Sequence, residues 1–215
     1  LKIVAEFVRS AAAADDLPRD GAPEIALVGR SNVGKSTLIN ALVRQRLART
    51  SAAPGKTRLA NVYRVQRGAG APFYLVDLPG YGYARGGAGA AREFAELTRA
   101  YFARGAALPA ALLLVDARHP GLASDVDAWR WMRQTVVDQC AVAATKIDKL
   151  ARGERIRALR ELESVLETSV LPLSAVTGEG LDELWKLIER LPSNRQTRPR
   201  NSSQLPPKAT ATPPP

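Results

Sequence analysis

The sequence of 215 residues is poor in the side chains that build disulfides and transition-metal centres, with one cysteine and one histidine. A single cysteine excludes an internal disulfide, and the apolar run around Cys140 predicts a small buried hydrophobe rather than a reactive thiol. One histidine and one cysteine do not supply the ligand cluster that is typical of a zinc site. The chain therefore does not resemble a disulfide-rich secreted domain or a zinc protein.

Long apolar runs are also missing. No run approaches the roughly 20 residues that span a bilayer, and the best candidate, Ala110–Val115, has the length of a buried strand. No secretory signal pattern precedes the first apolar segments, so we expect a cytoplasmic protein without a membrane partner. The chain begins with Leu1 rather than Met, which leaves open whether a segment precedes it.

Acidic residues are absent from one long stretch of a chain whose formal net charge is +10. Between Ile25 and Phe73 there is no Asp or Glu. The basic residues of this stretch are Arg30, Lys35, Arg44, Arg46, Arg49, Lys56, Arg58, Arg64 and Arg67. A stretch with basic and no acidic residues favours a polyanionic partner such as RNA. The alternative is that these residues only form a well-solvated surface.

Short apolar runs alternate with segments of helical period from about residue 23 to 191, which predicts an α/β fold. The predicted strands are Glu24–Val28, Asn61–Gln66, Phe73–Asp77, Ala110–Asp116, Cys140–Thr145 and Val170–Leu173. The predicted helices are Lys35–Arg44, Ala90–Arg104, Ser124–Thr135, Glu154–Glu167 and Leu181–Glu189. The linker 68–72 is too short for a crossover helix and predicts an antiparallel hairpin, whereas the other strands should be parallel.

Two terminal segments flank this predicted domain. Residues 1–22 are interpreted as an N-terminal extension in which Leu1–Arg9 forms a possible edge strand. Residues 192–215 are rich in Pro, Ser, Thr and Asn, contain basic residues and lack acids. Such a segment cannot bury enough apolar surface to offset its ordering entropy, so we expect a disordered basic tail.

The most specific local pattern is Gly29–Ser36, which reads GRSNVGKS and fits the phosphate-binding loop G-x-x-x-x-G-K-[ST]. It follows an apolar strand and opens a helix, so backbone N–H groups and the helix N-terminus would surround the phosphates. Lys35 should contact the β- and γ-phosphates, and the Ser36 hydroxyl should bind Mg²⁺. The candidate nucleotide-binding residues of this loop are Gly29, Arg30, Ser31, Asn32, Val33, Gly34, Lys35 and Ser36.

Three further motifs lie at the carboxyl ends of predicted strands, where open α/β sheets bind ligands. They are Asp77-Leu78-Pro79-Gly80, Thr145-Lys146-Ile147-Asp148 and Leu173-Ser174-Ala175. Asp77 can hold a magnesium-bound water, and the Gly80 N–H can sense the γ-phosphate. Asp148 can accept two hydrogen bonds from guanine, which adenine cannot donate, while the Lys146 stem packs on the ring. Backbone N–H groups in the third motif could meet the guanine O6.

A loop between the first helix and the second strand supplies the last candidates: Gly55, Lys56, Thr57, Arg58 and Leu59. We expect this loop to fold over the nucleotide, with the Thr57 hydroxyl as a second protein ligand of Mg²⁺. A plain surface turn is the alternative.

In order and spelling, these motifs resemble the EngB family, also called YihA or YsxC, among the TrmE-Era-EngA-EngB-Septin-like GTPases. The most specific segments are GRSNVGKSTLIN from Gly29, PGKT from Pro54, VDLPGYGYA from Val76, DARH from Asp116 and TKIDK from Thr145. The resemblance covers roughly residues 23–191 and implies a three-layer P-loop, Ras-like fold. In that fold, helices cover both faces of a mostly parallel six-stranded sheet with one antiparallel strand.

The resemblance also implies a function. It predicts a monomer that binds GTP and GDP with Mg²⁺, hydrolyses GTP and acts as a switch in assembly of the large ribosomal subunit, with ribosomal RNA as partner. Loss of such a protein is expected to disturb cell division and septation. An RNA-binding module with negligible hydrolysis and an ATP-using phosphotransferase are the alternatives, and Asp148 disfavours the second.

The residue after Asp-x-x-Gly constrains the mechanism. Many GTPases carry a Gln there that orients the attacking water, but this chain has Tyr81. The proposed catalytic residues are therefore Lys35, Thr57, Gly80 and Asn32. Asn32 either helps to hold K⁺ against the phosphates or only braces the loop, and both hypotheses stay open. Without a partner we expect turnover on the order of 10⁻⁴ per second.

Overall fold

The computed structural model describes residues 1–49, 59–81, 96–104, 110–136 and 139–190. Its strands are β1 (Ile3–Ala11), β2 (Glu24–Gly29), β3 (Ala60–Arg67), β4 (Phe73–Asp77), β5 (Ala110–Asp116), β6 (Cys140–Thr145) and β7 (Val170–Pro172). Its helices are α1 (Lys35–Val43), α2 (96–103), α3 (Ala123–Val136), α4 (Arg152–Leu166) and α5 (Leu181–Arg190). Short 3-10 turns cover Ala14–Asp16 and Ile147–Lys149.

The strands form one sheet in the order β1-β3-β4-β2-β5-β6-β7. β3 runs antiparallel to both of its neighbours, β1 and β4, and every other pair is parallel. The fold class is therefore confirmed as a mostly parallel α/β sheet with one antiparallel strand. The seventh strand is β1, which pairs with β3 from Ile3–Arg67 to Ala11–Ala60.

Two apolar cores lie on opposite faces of the sheet. β5 is buried along its whole length, and Leu112 and Leu113 point to different cores. One core packs α1 and α5 through side chains such as Leu38 and Trp185. The other packs α2 and α3 through side chains such as Met132. Helices therefore cover both faces, as predicted.

Helix boundaries differ from the predicted ones by one or two residues where a cap decides them. α4 begins at Arg152 rather than Glu154, because the Glu154 carboxylate accepts a hydrogen bond from the Ala151 N–H at 2.9 Å. Glu154 is therefore the third residue of the helix and closes its first turn. The first part of the predicted helix Ala90–Arg104 lies outside the described residues, which continue helical over 96–103. No helix in the described part of the chain is long and apolar enough to cross a bilayer.

Parallel strands bring the predicted motifs to one edge of the sheet. β2 ends at Gly29, β4 at Asp77, β5 at Asp116 and β6 at Thr145, and all four strands run in the same direction. β7 follows beside β6 and leads into Leu173. The edge that carries these strand ends is where a ligand site is expected.

Candidate nucleotide-binding site

The loop Gly29–Ser36 connects β2 to α1 and turns through two left-handed residues. Gly34 has φ 114°, a conformation that strains any residue with a Cβ, and Asn32 has φ 63°. The Lys35 ammonium is folded back under the loop, where Nζ donates to the carbonyl of Gly29 at 3.2 Å. Burial lowers the pKa of Lys35, although Asp77 opposes the shift. A desolvated ammonium that holds only loop carbonyls is available to a phosphate.

Asp77 and Ser36 meet at the start of α1. The Ser36 hydroxyl donates to Asp77 Oδ2 at 3.1 Å. The other carboxylate oxygen, Oδ1, is buried and has no hydrogen-bond partner among the described residues. Burial raises the pKa of Asp77, and Lys35 and Ser36 offset only part of this rise. A buried, unsatisfied carboxylate oxygen beside a hydroxyl fits the oxygen donor set that Mg²⁺ prefers.

Of the loop candidates that follow α1, only Leu59 lies within the described residues, and its side chain is exposed. Gly55, Lys56, Thr57 and Arg58 lie outside them. The assignment of Thr57 to Mg²⁺ therefore stays a prediction.

Gly80 and Tyr81 are docked directly on the phosphate loop. The Ser31 N–H donates to the carbonyl of Tyr81 at 3.1 Å, and Arg30 and Tyr81 form an isolated parallel bridge. A Cβ on Gly80 would lie 2.6 Å from the Ser31 nitrogen, which real contacts do not allow. The segment predicted to sense the γ-phosphate is thus in backbone contact with the phosphate loop.

The side chain of Tyr81 points away from this contact and into the core. Its hydroxyl donates to Asp125 Oδ1 at 2.9 Å, and Arg30 Nε lies 3.5 Å from the same oxygen. Asp125 is buried at the start of α3, and burial raises its pKa although Tyr81 and Arg30 oppose the shift. Tyr81 is thus buried with its hydroxyl bound, so its side chain is not placed to orient a water at the phosphate loop.

The opposite end of the site contains the second acidic candidate. The Ser174 hydroxyl donates to Asp148 Oδ1 at 2.7 Å, and Lys149 Nζ lies 3.4 Å from Asp148 Oδ2. The hydrogen bond from Ser174 is the main reason why the pKa of Asp148 is lowered. A carboxylate that is oriented and kept ionised can accept hydrogen bonds from a base.

The backbone of the third motif is largely occupied within the fold. Leu173 donates to the carbonyl of Ala144 at 2.9 Å, and Ser174 donates to the carbonyl of Glu179 at 2.9 Å. Within this motif the Ala175 N–H has no backbone acceptor among the described residues. Ala175 is therefore the candidate for the predicted contact with the guanine O6.

Lys146 joins the two ends of the site. Its Nζ donates to the carbonyl of Asn32 at 2.6 Å and to Asp116 Oδ2 at 2.9 Å. The preceding Thr145 hydroxyl donates to the carbonyl of Val33 at 2.8 Å. The bonds to Asn32 and Val33 tie the segment predicted to recognise the base to the phosphate loop, so the predicted motifs form one continuous surface.

Comparison with known proteins identifies the family. The family model described as 50S ribosome-binding GTPase matches residues 24–167. A probable GTP-binding protein EngB from Pelotomaculum thermopropionicum is 44% identical over 191 residues, covering 86% of this chain and 94% of the relative. One from Symbiobacterium thermophilum is 43% identical over 219 residues, with the same coverage of both chains.

The chain belongs to the EngB family of GTP-binding proteins. As a member of this GTPase family, it is an enzyme that hydrolyses GTP. The resemblance inferred from the motifs is thereby confirmed.

Solved structures agree on the fold of this EngB-family chain. A crystal structure of a probable GTP-binding protein engB superposes with a TM-score of 0.62 at 24% identity, covering 80% of this chain and all of that one. Aquifex aeolicus Era bound to GDP and AlF4⁻ gives a TM-score of 0.65 at 24% identity, covering 79% of this chain and 56% of that one.

Some of the predicted binding residues are core residues in the EngB fold. Their side chains are buried, so they can offer a ligand only backbone groups: Val33, Leu78, Pro79, Ile147 and Leu173. Conversely, Asp125 and the pair Asp116 and Arg118 belong to the site's bonding network but were not predicted as site residues. The DARH segment that contains Asp116 was a signal for Asp116 and Arg118, whereas nothing local distinguishes Asp125 from an ordinary helix-start acid.

Proposed function

We propose that this chain binds GTP and GDP across the edge formed by Gly29–Ser36, Asp77–Gly80, Thr145–Asp148 and Leu173–Ala175. The observation that carries the proposal is the unsatisfied buried oxygen of Asp77, next to Ser36, at one end of a surface whose other end holds the oriented carboxylate of Asp148. The first arrangement suits a metal-bound phosphate, and the second suits guanine.

In this proposal Lys35 changes partners when nucleotide binds. Its ammonium leaves the carbonyls of Gly29 and Arg30 and binds the phosphate oxygens. The attraction between these opposite charges offsets the free-energy cost of burying the ammonium. Ser36 and Thr57 would hold Mg²⁺, with Asp77 bound to a water of the metal. The ion would supply positive charge against the phosphates. Gly80, whose carbonyl accepts a hydrogen bond from the Ser31 hydroxyl at 3.3 Å, would report through its N–H whether a γ-phosphate is present.

Water orientation requires a group other than Tyr81, because the Tyr81 hydroxyl is bound to buried Asp125. The sequence offers Asn32 as a candidate. Asn32 either helps to hold a K⁺ ion against the phosphates or only braces the loop. Its side chain is exposed, and the described residues provide that side chain with no hydrogen bond. Equal hydrolysis rates in K⁺ and Na⁺ buffers would eliminate the cation hypothesis.

The substitution Asp148→Asn tests the base assignment. An amide can donate to the extra carbonyl of xanthine, so the variant should lose GDP affinity and gain XDP affinity. The measurement is a calorimetric titration of each nucleotide in Mg²⁺ buffer. If the preference between the two nucleotides does not change, Asp148 does not contact the base.

We also propose a role in assembly of the large ribosomal subunit, with ribosomal RNA as the partner. The described part of the acid-free stretch presents three exposed arginines just after α1: Arg44, Arg46 and Arg49. None of them forms an ion pair with a described residue. Asn40 braces this loop, because its side chain bonds the carbonyl of Ala48 at 2.8 Å and accepts the N–H groups of Leu47 and Ala48 at 2.9 and 2.7 Å.

A salt titration tests the RNA contact. Replacing Arg44, Arg46 and Arg49 together by Gln should weaken binding to ribosomal RNA and reduce the salt slope, since each neutralised phosphate contributes about 0.7 to 0.9. The matched control replaces three exposed arginines of α4, Arg152, Arg157 and Arg160, which lie among acidic residues. Equal effects of the two triple variants would exclude a localised contact at the loop.

The switch itself is tested by single-turnover hydrolysis with and without large ribosomal subunits. Acceleration by the subunit supports the switch, and absence of cleavage in both conditions favours a nucleotide-gated RNA-binding module. We propose residues 23–191 as the GTPase domain of a cytoplasmic monomer. Residues 192–215, outside the described part, are proposed as its disordered basic tail. Depletion should then disturb cell division and septation, as the family resemblance implies.

A further inference from the structure

A second buried carboxylate lies beside the base-recognition segment. Asp116 ends β5, and its side chain is only 3% exposed. Oδ1 accepts the Arg118 backbone N–H at 3.1 Å and Nε at 3.0 Å, while Oδ2 accepts Arg118 Nη2 at 2.8 Å and Lys146 Nζ at 2.9 Å. Both oxygens therefore accept two hydrogen bonds each, and three of the four donors carry positive charge.

These bonds fix the charge state of the cluster. Burial by itself would raise the pKa of Asp116, but the hydrogen bonds from Arg118 and Lys146 outweigh it, and the pKa lies well below the ordinary value. Asp116 is thus an anion that holds two cations. Lys146 is also bound to the carbonyl of Asn32, so its ammonium is pinned between two acceptors.

Asp148, two positions after Lys146 in the chain, is a second anion near Arg118. Its charge contributes to raising the pKa of Arg118, although the Asp116 hydrogen bond is the main cause. Asp148 itself accepts a hydrogen bond from the neutral Ser174 hydroxyl, and its Oδ2 lies 3.4 Å from Lys149 Nζ. A guanidinium that forms a fork with Asp148 would occupy the oxygens that guanine needs.

We propose that Asp116 is a positioning residue for guanine selectivity, which holds Arg118 and Lys146 away from the carboxylate of Asp148. This inference rests on the proposed contact of Asp148 with the base. Asp116 does not touch the nucleotide. It keeps the guanidinium of Arg118 and the ammonium of Lys146 off the carboxylate that accepts the 2-amino group, and it holds the Lys146 stem where the ring packs.

The first test compares GDP with IDP, whose base lacks the 2-amino group. Asp116→Asn keeps the shape but not the charge, and should weaken GDP binding about tenfold, the equivalent of one lost charge-assisted hydrogen bond. Because the acceptor of the 2-amino group is affected, the GDP-to-IDP affinity ratio should fall as well. A merely structural role lowers the melting temperature and leaves that ratio unchanged. The matched control, Asp127→Asn, breaks the exposed Asp127–Arg130 pair and should change neither affinity nor ratio.

A second pair of variants replaces Arg118 instead of Asp116. The Arg118 side chain is 41% exposed, so these variants should fold even if Asp116→Asn does not. Arg118→Lys retains the charge but cannot bridge both oxygens of Asp116, so its ammonium should compete for Asp148 and lower the GDP-to-IDP ratio. Arg118→Gln carries no charge and should preserve the ratio. In the Asp116→Asn background, Arg118→Gln should restore part of it.

Equal ratios for Arg118→Lys and Arg118→Gln would overturn the inference. The same holds if Asp116→Asn folds and keeps the wild-type ratio while Asp148→Asn shifts base preference from guanine to xanthine. If Asp148→Asn also leaves base preference unchanged, the proposed site fails and the inference fails with it. The two failures are therefore distinguishable.

Discussion

Replacing Tyr81 by Phe removes one hydroxyl from a buried charged cluster. That hydroxyl donates to Asp125 Oδ1 at 2.9 Å, and Asp125 Oδ2 is already buried without a partner among the described residues. After the substitution, the carboxylate keeps an ion pair with Arg30, whose Nε lies 3.5 Å from Oδ1. The remaining contacts therefore cannot replace the lost bond.

The magnitude follows from the burial of this carboxylate. A hydrogen bond to a buried charged group contributes about 1.5 to 3 kcal/mol. For a domain of this size each kcal/mol corresponds to about 2 to 4 °C in melting temperature, so Tyr81→Phe should lower it by about 3 to 12 °C. The assay is thermal unfolding without nucleotide, checked by urea denaturation.

The pH dependence has a defined sign. The pKa of Asp125 is raised above its ordinary value of 3.8, so this residue contributes stability at low pH that is lost as the pH rises through the folded-state pKa. Because Tyr81 lowers that pKa, Tyr81→Phe increases the loss. The difference in free energy of unfolding between variant and wild type should be largest at neutral pH. It should shrink as the pH falls from the raised folded-state pKa toward the ordinary value of 3.8.

The matched control is Tyr74→Phe, which removes a hydroxyl bonded at 2.7 Å to Asp20, an exposed residue. Because water can replace this partner, the control should cost at most about 1 kcal/mol. Equal losses in the two variants, or a Tyr81→Phe difference that is constant with pH, would refute the reasoning.

Three further outcomes are expected. Gly80→Ala should abolish tight nucleotide binding, measured by titration with a fluorescent guanine nucleotide, since its Cβ would lie 2.6 Å from the Ser31 nitrogen. Asn40→Ala should cost about 2 kcal/mol or more in urea unfolding, because Leu47 and Ala48 lose three bonds to its side chain. Chelating Mg²⁺ should weaken GTP binding, and unchanged affinity in EDTA would exclude a metal-bound phosphate.

Local pattern explains why most elements could be predicted. The buried strand Ala110–Asp116 has the predicted bounds, and the phosphate loop Gly29–Ser36 leads into a helix as its motif requires. Both agree because neighbouring residues decide strand length and loop conformation. The hairpin between β3 and β4 followed from the short linker alone. β1 spans Ile3–Ala11 rather than the predicted Leu1–Arg9, because an edge strand buries little and therefore has a weak pattern.

The candidate site was predictable only where a short motif of neighbouring residues indicates the role of a residue. Asp77 and Asp148 stand in short motifs at strand ends, so their place at the sheet edge followed from the parallel topology. Tyr81 illustrates the limit: the sequence placed it beside the phosphate loop, but its hydroxyl bonds Asp125, 44 positions further along the chain. No local pattern encodes such a pairing.

By itself the sequence determined the α/β class, the phosphate loop, the position of the Thr145–Asp148 motif and the family, because each depends on residues close together in the chain. Only the tertiary structure decided which carboxylates hold which cations. Lys146 and Arg118 both bond Asp116 rather than Asp148, and this choice depends on the distances that β5 and β6 set between their ends. Which charges pair depends on the distances between them, and those distances are defined only once the chain has folded.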